Sequence, residues 1–355
     1  MTGAGSTLSL GELGWSTFFA QQQSDEERAT CVAGRVFGVE RSGVTVMTER
    51  GSVEVPVGGR WFQREPEARP VIGDWVLLDV GLSTILRVLG RKSLLKRVPP
   101  GREREIQLMA ANVDTMFLVS SCNEEFNPSR LERYLALALD AGVEPVVVLT
   151  KADQADDPGV FRDAVRALKR DLVVELVDAR DPSTLAGVRA WCRPGQTVTL
   201  LGSSGVGKST LVNSLSGDQV QLTREVREDD AKGRHTTTRR SLHVLPDGGL
   251  LVDNPGMREL SLGDVDLTAA ALFDDIDALA ERCRFRDCRH EAEPGCAVRE
   301  ALESGALDPR RLESYRKLAR EEAHHAETVA ESRARFRSLG KRYRQIQNER
   351  DKRRR

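Results

Sequence analysis

The spacing of apolar residues changes three times along the chain, and each change marks a different kind of structure. Residues 1–30 are polar, contain Gln and Ser, and show no clean periodicity, so a flexible lead-in is expected there. From Cys31 to Val98 short β-rich runs are broken by glycine: CVAGRVFGVE, GVTVMTE, GSVEVPV, DWVLLDV and STILRVLG. Runs of that length with turn residues between them predict a small antiparallel, OB-like β-barrel over 31–98. VPPGRERE reads as a linker, and beyond it near-continuous apolar strands alternate with amphipathic helices. NVDTMFLVSS, PVVVLT, LVVELVDA, TVTLLG and LLVDNPG are the strands; SRLERYLALALDAG and FRDAVRALKRD are helices. Strands apolar on both faces belong to a parallel sheet covered by helices, which predicts an α/β domain over 104–260. Past Asp266 the spacing turns helical around a Cys-rich segment, giving a mostly helical domain over 261–332. From Pro309 onward the chain reads as long, charged helix.

The length of 355 residues fits two or three domains. No basic, apolar-cored leader opens the chain, and no run approaches the ~18 apolar residues needed to span a bilayer, so a cytoplasmic protein without a membrane partner is expected. The formal charge of −1 hides an asymmetry, because eleven Lys or Arg stand in 333–355 against Glu349 and Asp351. That basic tail is a solvated helix or arm, or it binds a phosphate-bearing partner by counterion release. Arg35, Arg87, Arg91, Lys92 and Lys96 give the barrel segment the same character.

GSSGVGKS fits G-x-x-x-x-G-K-S, with Gly202, Gly207, Lys208 and Ser209 at the defined positions. Its backbone must curl inward around phosphate oxygens, which a Cβ would obstruct. Ser203, Ser204, Gly205, Val206 and Thr210 complete the nucleotide-binding stretch. Lys208 is placed to reach the β- and γ-phosphates and Ser209 to ligate Mg²⁺. VDNPG ends a later strand with Asp253, a second Mg²⁺ candidate, while Gly256 lets the next peptide approach the γ-phosphate. Thr150, Lys151, Ala152 and Asp153 form a TKAD tetrapeptide after a third strand. Asp153 can accept from guanine N1–H and N2–H₂, a pairing that adenine cannot supply, and Lys151 can lie along the base. GTP and GDP are therefore the expected ligands; an ATPase would require Asp153 to be accidental.

CRFRDCRHEAEPGC supplies Cys283, Cys288, His290 and Cys296. Three thiolates and one imidazole in so short a window form a closed tetrahedral set suited to one structural Zn²⁺, with no position left for a reacting water. Cys31, Cys122 and Cys192 are scattered and read as core residues.

The order TKAD, phosphate loop, GRHTTTRR at 233–240, then DNPG resembles the circularly permuted GTPases. With the barrel before and the Cys-rich segment after, residues 31–320 are similar to the ribosome small-subunit-dependent GTPases, bacterial assembly factors for the 30S particle. The resemblance implies GTP hydrolysis that times late maturation of the 30S subunit and release from it. It also implies contact with 16S rRNA, and neither a DNA partner nor a dimer is called for. Thr150 stands where that family usually has Asn, which removes an amide buttress. Asp178 of the VDA segment stands where a Ser-Ala pair usually flanks guanine. Thr237 is the expected Mg²⁺-sensing hydroxyl, with Thr236 and Thr238 as competitors. Met257 follows DNPG where many GTPases place a water-orienting Gln, so another group must orient the water. The resemblance implies a histidine of the first switch for that role, which maps onto His235 as a catalytic candidate beside Lys208 and Thr237; the alternative is a surface histidine beside a basic loop. The rival is an RNA-binding protein that uses GTP and GDP as a ligand switch with negligible turnover.

Overall fold

A computed structural model describes residues 8–40, 42–58, 61, 66–97, 107–169, 171–217, 240–253 and 272–320. Five antiparallel strands come first: β1 (Cys31–Val39), β2 (Gly43–Thr48), β3 (Gly51–Pro56), β4 (Trp75–Asp79) and β5 (Ile85–Val88). Their order is β3-β2-β1-β4-β5. Strand β1 is shared, because Cys31–Arg35 pairs with β4 and Arg35–Val39 with β2, with a register shift between Val36 and Gly38. Alternation along β2 turns Val44 and Val46 inward onto Val36, Val55, Trp61, Val76, Leu78 and Ile85. Each such side chain contributes about 1.5–3 kcal/mol when fully buried.

The expected flexible lead-in is instead packed from residue 8 onward. Leu13 and Phe19 are buried, and Trp15 and Phe19 meet Trp75 at ring-centroid distances of 4.7 and 5.7 Å. Ser24 and Glu27 form a reciprocal capping box on the helix Asp25–Thr30. Spaced aromatics and that cap were present in the sequence, but they carry no period over so short a stretch.

The barrel's basic residues are largely engaged within the fold. Arg35 is fully buried, donating to the carbonyls of Leu13 (2.5 Å), Asn112 (2.9 Å) and Gly73 (3.3 Å), and burial pushes its pKa down to about 10. Arg91 forks onto the buried Asp74 at 2.7 Å, and Arg87 bonds Glu27 at 2.8 Å. Three of the segment's basic residues therefore bond within the protein.

Strands β6 (Leu94–Arg97) and β7 (Gln107–Ala111) form a small antiparallel ladder. The α/β part follows with β8 (Thr115–Ser121), β9 (Glu144–Thr150), β10 (Val173–Leu176), β11 (Thr197–Leu201), β12 (Arg240–Val244) and β13 (Leu250–Asp253). Their order is β10-β9-β8-β11-β13-β12, parallel except for β12, and β12 also pairs with β1. Every residue of β8 and β11 is buried, as near-continuous apolar runs require. The helix Pro128–Asp140 starts on an Asn127 cap with Pro128 in its first turn and buries Leu131, Tyr134, Leu135 and Ala138 on one face. Burial pushes the Cys122 and Cys192 thiols up to about 11 and about 12, as fits core residues.

The chain divides into two compact units, 1–97 with 107–262, and 98–106 with 263–355. In the second, the helices Asp274–Ala280, Ala297–Glu303 and 309–320 bury Phe273, Ile276, Val298, Leu312 and Leu318. Arg311 forks onto Asp275 with two 2.7 Å bonds and lies 5.0 Å from the Phe273 ring centroid. Among the described residues no helix is long and apolar enough to cross a membrane.

Candidate nucleotide site and candidate metal centre

Strands β8, β9, β10, β11 and β13 run parallel, so their carboxyl ends open on one edge of the sheet. Ligands of open parallel sheets bind at that edge. The register sets Ser121 opposite Thr150 and Leu201 opposite Leu118, which brings the TKAD turn and the phosphate loop to the same edge although fifty residues separate them. Reversed motif order is thus no obstacle to a common site.

The phosphate loop leaves β11 at Gly202, where a Cβ would strike the Val119 carbonyl. Gly207 has φ 89° and starts the helix Lys208–Ser216, whose Leu211, Val212 and Leu215 are buried in the core. Ser204, Gly205, Ser209 are exposed, Ser203 and Thr210 partly so, and Val206 is buried. Backbone N–H groups at a helix start favour anions. Lys208 is buried, and its Nζ donates to the carbonyls of Gly202 (2.8 Å) and Ser203 (2.5 Å), within the loop it serves.

Thr150 does not leave its position unbuttressed. Its buried hydroxyl lies 2.6 Å from the Val206 carbonyl and 3.1 Å from that of Ser120, and donates its single proton to one of them at a time. Strand β9 and the phosphate loop are tied directly. Lys151 is left-handed, with φ 56°, which turns the chain into Ala152 and Asp153. The Asp153 carboxylate accepts from Arg180 Nη2 at 2.8 Å. Asp178 accepts from the Arg180 backbone N–H at 2.9 Å and from its Nε at 3.1 Å, and these bonds hold its carboxyl below the usual range. The neighbouring Ala179 carbonyl accepts from Ser214 Oγ at 2.6 Å, which ties this turn to the phosphate-loop helix. Asp253 ends β13, opposite Ser241. His243 on β12 sits 2.7 Å from Ser241 Oγ, its pKa lowered by burial. His235, Thr236, Thr237, Thr238, Gly256 and Met257 lie outside the described residues.

In the second unit, ligand atoms of Cys283, Cys288, His290 and Cys296 all fall within 4.8 Å of one another. Cys283 Sγ is 3.9 Å from Cys296 Sγ and 3.6 Å from His290 Nδ1, and Cys296 Sγ is 3.4 Å from that nitrogen. A tetrahedron with Zn–S of about 2.3 Å places sulfurs roughly 3.8 Å apart, so the set fits the ion. The surrounding loop is shaped by Glu293, which accepts from the backbone of Arg289, Glu291 and Ala292 and is held down at about 2 by those bonds. The His290 carbonyl accepts from Arg316.

A family model described as RsgA GTPase matches residues 88–263. A small ribosomal subunit biogenesis GTPase of Vibrio parahaemolyticus is 47% identical over 344 residues, covering 97% of this chain and 94% of that protein. The chain belongs to the RsgA GTPase family. A homologue of the same description in Mesorhizobium japonicum is 47% identical and covers 90% of this chain and 92% of its own length. Among solved structures, YjeQ of Thermotoga maritima aligns with a TM-score of 0.62 at 26% identity, over 82% of this chain and 99% of that one. The fold is also that of YloQ, a circularly permuted GTPase, with a TM-score of 0.58 at 24% identity over 85% of this chain and 98% of that one. A model for ABC transporters matches 185–342, a stretch that begins just before the same phosphate loop. It covers neither TKAD nor the barrel, whereas the RsgA relatives cover both.

Sequence reasoning missed Arg180 and the bonding role of the Thr150 hydroxyl. An Asp two residues before an Arg, just past a strand of the sheet, was the available signal for the first. Substituting one side chain that can bond a carbonyl for another was the signal for the second.

Proposed function

We propose that this chain hydrolyses GTP to GDP and phosphate on the small ribosomal subunit, timing late maturation of the subunit and its own release. The observation that carries this reading is the direct tie from Thr150 to the Val206 carbonyl, which makes base reader and phosphate loop one site. Asp153 and Lys151 read guanine, Gly202 through Thr210 wrap the phosphates, and Lys208 neutralises the β- and γ-oxygens. Ser209, Thr237 and Asp253 are assigned to Mg²⁺, which neutralises charge on the phosphates when bound, and Gly256 is assigned to the γ-phosphate. His235 is assigned to orient the attacking water, because the Met257 thioether cannot. Cys283, Cys288, His290 and Cys296 hold a structural Zn²⁺ that closes the 261–332 domain.

The domains are assigned as a barrel over 31–98, a permuted GTPase domain over 104–260, the zinc domain, and the basic tail 333–355. The partner is the 30S subunit with its 16S rRNA, gripped by the zinc domain, the tail and the barrel surfaces left free of internal ion pairs. The protein acts as a cytoplasmic monomer. Steady-state GTP hydrolysis with purified 30S subunits, against 50S subunits as the control, tests the proposal. Stimulation by 30S alone is expected; equal rates with and without 30S would overturn it.

A further inference from the structure

We propose that Arg180 is a positioning residue for guanine recognition, holding the Asp153 carboxylate in the plane in which it reads the base. This rests on the assignment of Asp153 as base reader. An aspartate's terminal torsion is broad and nearly two-fold, so an unsupported carboxylate presents its oxygens in many orientations. Among the described residues Arg180 alone bonds the Asp153 side chain, through Nη2 to Oδ2 at 2.8 Å. Oδ1, and the second acceptor site of Oδ2, are left to accept from guanine N1–H and N2–H₂ while Arg180 stays in place.

Arg180 is itself fixed by Asp178, whose Oδ1 takes its backbone N–H and Nε and whose Oδ2 lies 3.3 Å from Nη2. The Asp178 carbonyl accepts from the Asp181 N–H at 3.0 Å and lies 2.9 Å from Thr184 Oγ1, which donates its single proton either to it or to the Asp181 carbonyl. One planar guanidinium spans two carboxylates. A lysine ammonium, a point charge on a flexible stem, lacks the fork that does this. Asp178 thereby acquires a purpose at a position where its charge looked unsuited to guanine: it holds the cation that holds the reader.

Because the Arg180 side chain is 63% exposed, the expected effect is small and salt-sensitive. Arg180→Ala is expected to weaken GDP binding roughly three- to five-fold at low salt, to leave ADP binding where it was, and to raise KM for GTP more than it lowers kcat. Arg180→Lys should fall between, and adding Asp178→Asn to Arg180→Ala should cause little further loss, since both act through one chain of contacts. High salt should shrink the difference between Arg180→Ala and the parent. Asp153→Ala is the control for the underlying reading: it should abolish the preference for GDP over ADP. If it does not, the base-reader assignment fails. If it does while Arg180→Ala binds GDP as tightly as the parent, the positioning role fails; tighter binding would mean that Arg180 competes with the base.

Discussion

The proposed nucleotide site gathers residues from Thr150 to Asp253, whereas the candidate metal centre lies wholly between Cys283 and Cys296. In the first, parallel strands buried along their length fix where each loop begins, and a side chain such as Thr150 then ties one loop to the next. Its geometry follows from the sheet. In the second, a short loop with left-handed His290 brings three sulfurs and a nitrogen together. On the proposal that this set holds zinc, binding of the ion adds to the stability of the unit. On that proposal one site is a product of the fold, while the other helps to make it.

Metal removal should separate them most sharply. Structural zinc contributes about 10–16 kcal/mol in small domains, so chelation should unfold the helices of the second unit while GDP binding in the first stays within about two-fold. Hydrogen exchange across 272–320 against GDP titration would show it; protection retained after chelation would break the comparison. Next, Arg35→Met should destabilise the first unit by about 3 kcal/mol, because the Leu13, Gly73 and Asn112 carbonyls lose a charged donor inside the protein. A denaturant midpoint unchanged from the parent would show that the N-terminal packing does not matter to the first unit. Lys208→Ala should weaken GTP binding about ten- to a hundred-fold through lost charge-assisted bonds, read by nucleotide titration, and should also lower the thermal midpoint, because the Gly202 and Ser203 carbonyls lose their donor. Thr150→Val, nearly isosteric, should cost about 1 kcal/mol of nucleotide affinity, and Thr150→Asn should restore it. If Thr150→Val binds GDP like the parent, the tie to the phosphate loop is not part of the site.

The two regions also differ in how much of them the sequence discloses. Cys283 to Cys296 can be read directly, because all four ligands lie in one window and metal chemistry restricts the choice of residue. Lys208 and the glycines are legible for the same reason, as a local backbone shape admits few alternatives. Strand and helix periods predicted the α/β order and the five-stranded barrel. What escaped is long-range: Arg35 reaching Leu13 and Asn112, Trp15 finding Trp75, Arg180 finding Asp153. Each partner is ordinary in its own neighbourhood and becomes informative only when the fold brings the pair together. The basic character of the barrel segment was legible but not its use: Arg35 bonds carbonyls in the core, and Arg87 and Arg91 bond carboxylates of the same unit.

The most direct test of this account is GTP hydrolysis with saturating 30S subunits, measured beside GDP affinity on the same preparation before and after chelation and again after zinc is restored. The account predicts that chelation leaves GDP affinity in place, abolishes stimulation by the subunit, and that zinc brings it back. Loss of GDP affinity together with the metal, or full stimulation without it, would contradict the claim that one site is built by the fold and the other builds it.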